Sequence, residues 1–280
     1  MLPIIIASLL CQAPPAPPDT GVPVQPALPK DLVGKPMPWE PLLVDACKDK
    51  LAAAGLDGLD YRFSKVDYVA TLPAPRGSGE DPLYCHVPQG TVLWIGPTGV
   101  HYVGFTHMSC ALTLALARFE VIAQDVARTV FGRPADENPV RYISHVGTYN
   151  CRRQRLKNKV SQHSFGNAID FQAFEVKGFG RINVLQHWST TYKPWLKASE
   201  FLHTLARRLR EEDVFTNVLD PDWDVWHQNH IHVDMAPTSH GEPSPALQRV
   251  MSMPTAARDE RGQATVAEPA TSTAPGPVRP

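Results

Sequence analysis

The chain has 280 residues, of which 27 are Lys or Arg and 28 are Asp or Glu. This near balance of charge argues against a protein that binds nucleic acid or an anionic membrane through a basic surface. Hydrophobic residues make up 43% of the chain, which is enough for a sizeable core. A chain that is disordered over its whole length is therefore not expected. The 28 prolines are about twice the average share, and their uneven distribution indicates where the folded domain lies.

Both ends of the chain differ in composition from its middle. Residues 1–11 form a signal-like apolar segment that is too short to span a membrane, which takes about 20 residues. Cys11 follows the apolar run directly and is a candidate lipid anchor, as in bacterial lipoproteins. Residues 12–41 are a Pro-rich linker, and residues 237–280 have the composition of a disordered tail. We therefore expect an exported protein of the periplasm or cell envelope, lipid-anchored or extracellular, with its folded domain at residues 42–236.

The cysteines of an exported domain are expected to form disulfides. Four cysteines lie inside the predicted domain, and none belongs to a C-x-x-C pair, so a zinc site made of thiolates is not expected. An even number in an exported domain predicts two disulfides, with three possible pairings and at least one bridge. The alternative is a cytosolic protein with four buried, reduced thiols. The four residues are Cys47, Cys85, Cys110 and Cys151.

Hydrophobic spacing predicts both helices and strands. Apolar residues at intervals of three and four predict helices at residues 42–56, 109–131 and 196–211. Short β-branched, aromatic or alternating runs predict strands at residues 91–95, 140–145, 167–174 and 230–235. Because no βαβ unit repeats, we expect an α+β fold: a single domain with a small, mostly antiparallel sheet and flanking helices.

The first segment with metal-binding chemistry is residues 161–170, with the sequence SQHSFGNAID. In the strand predicted there, Asp170 alternates with apolar residues and so projects from the opposite face. Gly166 permits a tight turn before the strand, and such a turn can bring His163 to the same side as Asp170.

The second segment is residues 227–234, with the sequence HQNHIHVD. If it forms a strand, His230, His232 and Asp234 share one face, while the apolar residues between them point into the core. Side chains two positions apart lie about 7 Å from each other, so two of these imidazoles can address one site.

A His and an Asp from the first segment, together with a histidine of the second, make a three-ligand N/O set. With water in the fourth position such a set describes an open, catalytic zinc site, so the predicted cofactor is Zn²⁺. Non-haem iron also uses two His and one carboxylate, but its first two ligands are commonly one residue apart, as H-x-D, whereas six residues intervene between His163 and Asp170. A further alternative is that these are ordinary histidines, satisfied by hydrogen bonds on the surface or in the core.

The two segments resemble the S-x-H-x-x-G-x-A-x-D and H-x-H motifs of zinc D-Ala-D-Ala carboxypeptidases and murein endopeptidases. More of the chain resembles the bacterial extensin-like C-terminal domain family, including the positions of three cysteines. The segments concerned are residues 147–152 (GTYNCR), 181–188 (RINVLQHW) and 215–222 (FTNVLDPD). The resemblance implies a zinc-peptidase fold of the hedgehog and D-Ala-D-Ala peptidase type.

The resemblance also implies roles for individual residues. The metal ligands are His163, Asp170 and His232. His230 faces the site without ligating and acts as general base or stabilises the oxyanion, and His227 is a weaker candidate for the same work. Arg152 would hold a substrate carboxylate or carbonyl, the alternative being a structural ion pair. Asp234 would orient a ligand imidazole, the alternative being an ordinary surface carboxylate.

Two departures from the family pattern affect these expectations. The cysteine that the family often carries shortly before Phe215 is absent, which leaves the pairing of Cys151 open. The carboxypeptidase branch has a Glu as base three residues before the last metal histidine, where this chain has Asn229. The arrangement of His227, His230 and His232 instead resembles the endopeptidase branch.

The leading functional expectation is a zinc metallopeptidase that hydrolyses amide bonds in peptidoglycan stem peptides or cross-links by metal-activated water. Its partners would be peptidoglycan peptides, with no nucleic acid and no transmembrane span. The alternative is a non-catalytic, zinc-containing module that binds the cell wall or a protein, and a third class is an iron-dependent oxygenase. A histidine beside the metal that does not ligate favours catalysis over binding alone.

Overall fold

A central sheet of six strands organises the fold. The computed structural model describes residues 42–56, 69–72, 83–87, 89–104, 107–154, 159–258 and 264–265. The predicted signal-like segment and linker, with Cys11, lie outside the described residues. Within the described residues, no helix combines the length and the apolar character needed to cross a membrane.

The helices and strands that the structure describes are numbered in chain order. The helices are α1 (Cys47–Ala53), α2 (Cys110–Phe131), α3 (Val184–His187), α4 (Leu196–Glu211) and α5 (Pro245–Met251). The strands before the first metal-binding segment are β1 (Val69–Leu72), β2 (Leu83–His86), β3 (Thr91–Val92), β4 (His101–Val103), β5 (His107–Met108) and β6 (Val140–His145). Those after it are β7 (Ala168–Val176), β8 (Gly180–Asn183), β9 (Asn217–Leu219), β10 (Ile231–Asp234), β11 (Ala257–Arg258) and β12 (Ala264–Thr265).

The six-stranded sheet has the strand order β4-β6-β7-β10-β9, and β8 pairs with β7 beside this path. The pair β4 and β6 is parallel, and the other pairs of this sheet are antiparallel. Six further strands form two-stranded sheets: β1 with β2, β3 with β5, and β11 with β12. The prediction of a single α+β domain with a small, mostly antiparallel sheet is confirmed.

Helices α2 and α4 cover one face of the central sheet. Phe119 of α2 stacks on Phe171 of β7 with ring centroids 4.5 Å apart, and Phe201 of α4 meets Phe174 edge-on at 5.4 Å. The apolar residues of β10 are fully buried in the same core. Because side chains alternate along a strand, the polar residues of β7 and β10 project from the opposite face.

The two long helices form where the hydrophobic spacing predicts them, and local signals explain their ends. Ser109 precedes α2, and its hydroxyl accepts a hydrogen bond from the backbone N–H of Leu112, as an N-cap does. Gly132 ends α2 in the left-handed conformation, with φ of 64°. Helix α4 spans the predicted range and buries one face, which includes Phe201 and Leu205.

Three predicted elements are shorter than expected. Helix α1 begins at Cys47 rather than at residue 42, because Ala46 has a left-handed backbone with φ of 51° that interrupts a helix. Strand β3 has only two residues, Thr91 and Val92. Strand β10 begins at Ile231, so His230 lies just before the strand and not within it.

The prediction of disorder after residue 236 is wrong for α5. Ser244 caps this helix by accepting a hydrogen bond from the backbone N–H of Leu247, and Pro245 occupies its first turn. Leu247 and Val250 are buried against the rest of the core. The Pro- and Ser-rich composition that predicted a tail here reflects a helix start, so the folded unit extends beyond residue 236.

Both pairs of cysteines in the described residues form disulfides. Cys47 at the start of α1 is joined to Cys110 at the start of α2, and Cys85 of β2 is joined to Cys151. The prediction of at least one bridge is confirmed, and the pairing that the sequence left open for Cys151 is with Cys85. Two disulfides are typical of proteins that fold in an oxidising compartment outside the cytoplasm.

Candidate metal centre

Asp170 and His232 are brought together by strand pairing. Strands β7 and β10 are antiparallel neighbours, and in their register His232 lies directly opposite Asp170. Both side chains project from the face of the sheet that α2 and α4 do not cover. Oδ1 of Asp170 lies 2.8 Å from Nδ1 of His232.

His163 reaches the same point from a short 3₁₀ helix, Gln162–Phe165, that precedes β7. This helix begins at Ser161 and ends at Gly166, which has φ of 60°. A Cβ at Gly166 would lie 2.9 Å from Cγ1 of Val87 and 3.0 Å from the carbonyl oxygen of His107, so both the backbone angle and the close approach favour glycine. The turn places Nε2 of His163 3.2 Å from Oδ1 of Asp170.

The third contact completes a triangle of potential ligand atoms. Nε2 of His163 also lies 3.2 Å from Nδ1 of His232, and all three atoms lie within 4.8 Å of one another. Each imidazole N–H points at one acceptor, so hydrogen bonds alone cannot explain why all three of these atoms lie so close to one another. Ligand atoms at about 2.0–2.1 Å from a tetrahedral zinc ion are about 3.3 Å apart. The donor set and its spacing therefore fit a zinc ion.

Hydrogen bonds on the far side of each imidazole orient the two histidines. Nδ1 of His163 lies 3.2 Å from the carbonyl oxygen of Thr148, and Nε2 of His232 lies 3.2 Å from Oδ2 of Asp234. Each of these acceptors favours a proton on the far nitrogen and so leaves a lone pair on the nitrogen that faces the centre. Asp234 is itself held by the side chain of Asn217 and the backbone N–H of Ala236.

The charges around the centre favour a cation. Burial alone would raise the pKa of the Asp170 carboxyl, but hydrogen bonds from His163 and His232 hold this pKa below its usual range. Burial would lower the pKa of His232, yet hydrogen bonds to Asp170 and Asp234 raise it to about 9. Two carboxylates thus stabilise a positive charge at His232, and metal binding would release that proton because a ligating imidazole is neutral.

His230 faces the centre without belonging to the triangle. Its Nε2 lies 3.5 Å from Oδ1 of Asp170, and its Nδ1 lies 2.8 Å from Oδ1 of Asn229. Burial lowers the pKa of His230 to about 4, although the nearby Asp170 carboxylate raises it. The imidazole is therefore neutral at pH 7. The side-chain oxygen of Asn229 accepts a hydrogen bond from Nδ1–H, which leaves Nε2 with a lone pair directed at the site.

His227 lies on the outer side of His230. Its ring centroid is 5.2 Å from that of His230 and 5.8 Å from that of His232. Its Nδ1 lies 2.7 Å from Oδ1 of Asp224, a carboxylate that fixes the orientation of the ring. The structure thus brings all four predicted histidines to one side of the sheet.

Arg152 lines the cleft that opens at this centre. The cleft has a volume of about 920 Å³, and Arg152 lies in its wall together with the metal-site residues. Its backbone is fixed by Ser164, whose hydroxyl accepts from the Arg152 N–H and donates to the Arg152 carbonyl. Among the described residues the Arg152 guanidinium has no ion-pair partner, so its charge is available to a ligand.

Sequence reasoning missed several residues of this region. Thr148 and Asn217 support the predicted ligands through backbone and side-chain hydrogen bonds; they lie in the segments 147–152 and 215–222 that carry the family resemblance, but the sequence does not mark these roles. Trp223 and Trp226 line the cleft between β9 and β10. The unusual run WDVW at residues 223–226 was the signal that could have identified this pair.

Comparison with protein families confirms the resemblance to the extensin-like C-terminal domain family. The family described as "Extensin-like protein C-terminus" matches residues 64–242. This match covers more than half of the chain, so the chain belongs to that family. No match was found among the curated proteins or among the solved structures.

Proposed function

We propose that this chain is a zinc metallopeptidase that hydrolyses amide bonds in peptidoglycan stem peptides or cross-links. The observation that carries the proposal is the triangle formed by His163 Nε2, Asp170 Oδ1 and His232 Nδ1, with edges of 3.2, 3.2 and 2.8 Å. Supporting it is the resemblance of the two motifs to zinc D-Ala-D-Ala carboxypeptidases and murein endopeptidases, which implies their fold as well.

His163, Asp170 and His232 would hold the ion, and Thr148 and Asp234 would keep the two imidazoles in the ligating tautomer. A bound zinc ion supplies a water of lowered pKa and polarises the scissile carbonyl. A set of two nitrogens and one oxygen suits zinc, and His163 and Asp170 are separated by six residues rather than by the one residue of the H-x-D spacing that is common in iron oxygenases.

His230 is the proton-transfer residue of this proposal. A general base must be neutral at working pH and must direct a lone pair at the reacting group. His230 meets both requirements, because burial keeps its imidazole neutral and its Nδ1–H donates a hydrogen bond to the side-chain oxygen of Asn229. Its Nε2 lies 3.5 Å from the ligand atom of Asp170, so it can reach a group bound at the centre. His227 would assist from the outer side.

Arg152 is the substrate-positioning residue. Its guanidinium lines the cleft, has no ion-pair partner among the described residues, and suits a carboxylate or carbonyl oxygen of a peptide. A peptide carboxylate held there would place its neighbouring amide toward the histidines of the same cleft. The predicted signal-like segment and candidate lipid anchor at Cys11 would put the domain in the cell envelope, where such peptides occur.

The test is mass spectrometry of muropeptides after incubation of purified peptidoglycan with the protein. We expect new peptide fragments with the wild-type protein, none after zinc is removed by a chelator, and recovery when zinc is returned. His230→Ala should slow fragment release by about 10²–10⁴-fold, the usual contribution of a general acid–base group. His240→Ala, which alters an exposed histidine outside the cleft, is the matched control and should cleave normally.

The alternative is a zinc-containing module that binds the cell wall or a protein without turnover. Zinc-loaded protein that binds peptidoglycan and releases no fragment would establish that alternative. Fragment release that persists in the chelator would contradict the metal's role.

A further inference from the structure

Two exposed tryptophans flank the candidate metal centre. Trp223 and Trp226 lie in the loop between β9 and β10, and their side chains are 66% and 51% exposed. Both line the same cleft as the predicted ligands, and Trp226 directly precedes His227. Large aromatic side chains on a loop beside a site usually contact a ligand, because burying them is favourable and leaving them in water is not.

A second wall of the cleft offers free polar groups. Asn150, Arg152 and Gln154 occupy alternate positions of one segment and all line the cleft. Within the described part of the chain, none of these three side chains has a hydrogen-bond or ion-pair partner. Cys151 between them is joined to Cys85, which fixes the segment to β2. The wall is therefore anchored, while its polar side chains are available.

The volume of the cleft exceeds what a short peptide terminus at the metal would occupy. The cleft measures about 920 Å³, near the upper end of ligand sites, which are about 300–1,000 Å³. A ligand that fills this cleft would extend from the candidate metal centre to the tryptophans.

The cleft combines the flat apolar faces of two indole rings with side-chain amides, and this combination suits an N-acetylated sugar. A pyranose ring presents an apolar C–H face that packs against an indole, whose rigid ring is ordered at little entropic cost. Its hydroxyl and acetamide groups both donate and accept hydrogen bonds, and so do the side-chain amides of Asn150 and Gln154. An apolar protein partner would have no use for this set of unpaired amides.

We propose that the cleft contains a carbohydrate subsite, formed by Trp223, Trp226, Asn150 and Gln154, that binds an N-acetylated amino-sugar strand beside the metal centre. This inference rests on the proposed function and narrows it: the amide bond that is hydrolysed belongs to a peptide still attached to its glycan.

The test is binding of a hexamer of N-acetylglucosamine, which carries the sugar and acetamide groups but no peptide. Binding is measured by calorimetry and by the change in tryptophan fluorescence on the wild-type protein with zinc. Trp223→Leu keeps apolar area but removes the ring, and should weaken binding by about tenfold. Trp223→Phe keeps a ring and should bind more tightly than Trp223→Leu. Trp195→Leu changes a tryptophan that is 41% exposed outside the cleft and should bind as the wild type does.

Binding of the hexamer does not require hydrolysis, so the outcome of the binding test does not depend on the outcome of the muropeptide test. If the protein binds the hexamer through Trp223 but releases no muropeptide fragment, the proposed subsite is supported and the proposed peptidase activity is contradicted. A wild type that does not bind the hexamer, or variants Trp223→Leu and Trp223→Phe that bind equally well, would overturn the subsite.

Discussion

Residues His230 and His232 are two positions apart, yet their surroundings give them opposite protonation. The pKa of His232 is about 9, because two carboxylates accept hydrogen bonds from it, whereas burial lowers the pKa of His230 to about 4. The difference follows from strand geometry. His232 lies within β10 opposite Asp170, while His230 precedes the strand and has Asn229 as its partner.

At the residue scale the first prediction concerns Asp234, whose Oδ1 accepts from Asn217 and from the N–H of Ala236. In Asp234→Asn those two donors keep the amide oxygen at the Oδ1 position, so the NH₂ group faces His232. His232 would then carry its proton on Nδ1, the nitrogen that must ligate. Zinc affinity should fall by about 10–100-fold, the usual effect of losing such a partner.

Competition with a chromophoric chelator measures this affinity. Asp222→Asn, which changes an exposed carboxylate in the loop between β9 and β10, is the control and should bind zinc as the wild type does. Unchanged zinc affinity in Asp234→Asn would show that Asp234 does not set the tautomer of His232.

At the scale of elements, the two disulfides close loops of similar length but anchor different parts of the fold. The sequence separations are 63 residues for Cys47–Cys110 and 66 residues for Cys85–Cys151. Removing either bridge by a pair of Cys→Ala changes should lower the free energy of unfolding by about 4 kcal/mol in the chain-entropy model. Urea unfolding of both double variants checks this expectation.

Of the two disulfides, only Cys85–Cys151 anchors the segment of the cleft wall that carries Arg152. Its removal should raise KM for peptide substrate, whereas removal of Cys47–Cys110, which ties α1 to α2, should leave KM unchanged. Equal KM values in the two double variants would contradict a role for the anchored wall in binding.

Helix α2 carries a buried carboxyl group that makes stability depend on pH. Burial raises the pKa of Glu120 to about 7, although hydrogen bonds from Thr98 and Tyr102 lower it in part. The stabilising contribution of the protonated form is complete below the ordinary pKa of about 4.3, and is lost as the pH rises toward 7. The Gly96 backbone packs so closely on this carboxyl that a Cβ there would lie 1.5 Å from Oε1.

Glu120→Gln removes this titration. Relative to the wild type, the variant should gain up to about 3 kcal/mol in the free energy of unfolding between pH 4.5 and pH 8. Urea unfolding across this range measures the difference. A constant difference would mean that Glu120 does not titrate with a raised pKa in the folded protein.

The sequence predicts best those elements whose signals are local. Helices α2 and α4 follow from regular apolar spacing, and β7 follows from alternation around Asp170. The start of α1 was misplaced because the left-handed conformation of Ala46 has no signature in an alanine. Helix α5 was missed because Ser244 and Pro245, the residues that start it, are of the same types that predict a disordered tail.

At the scale of the whole molecule, the helices cover one face of the sheet and leave the other face for the site. The cluster of His163, Asp170 and His232 was predictable because these residues match motifs of fixed spacing. The support from Thr148 and Asn217 and the approach of the Trp223 loop depend on which strands are neighbours. Neither the separation of 15 residues between Thr148 and His163 nor that of 17 residues between Asn217 and Asp234 shows that these groups meet, because the contacts depend on tertiary pairing.

The measurement that tests the central claim most directly is the zinc content of the purified protein and two variants, determined by elemental analysis after dialysis. We predict one zinc ion per chain in the wild type and in His230→Ala, and none in His232→Ala, which removes one of three protein ligands. Wild-type protein without zinc would contradict the metal centre. Loss of zinc from His230→Ala as readily as from His232→Ala would contradict the division between ligand and base.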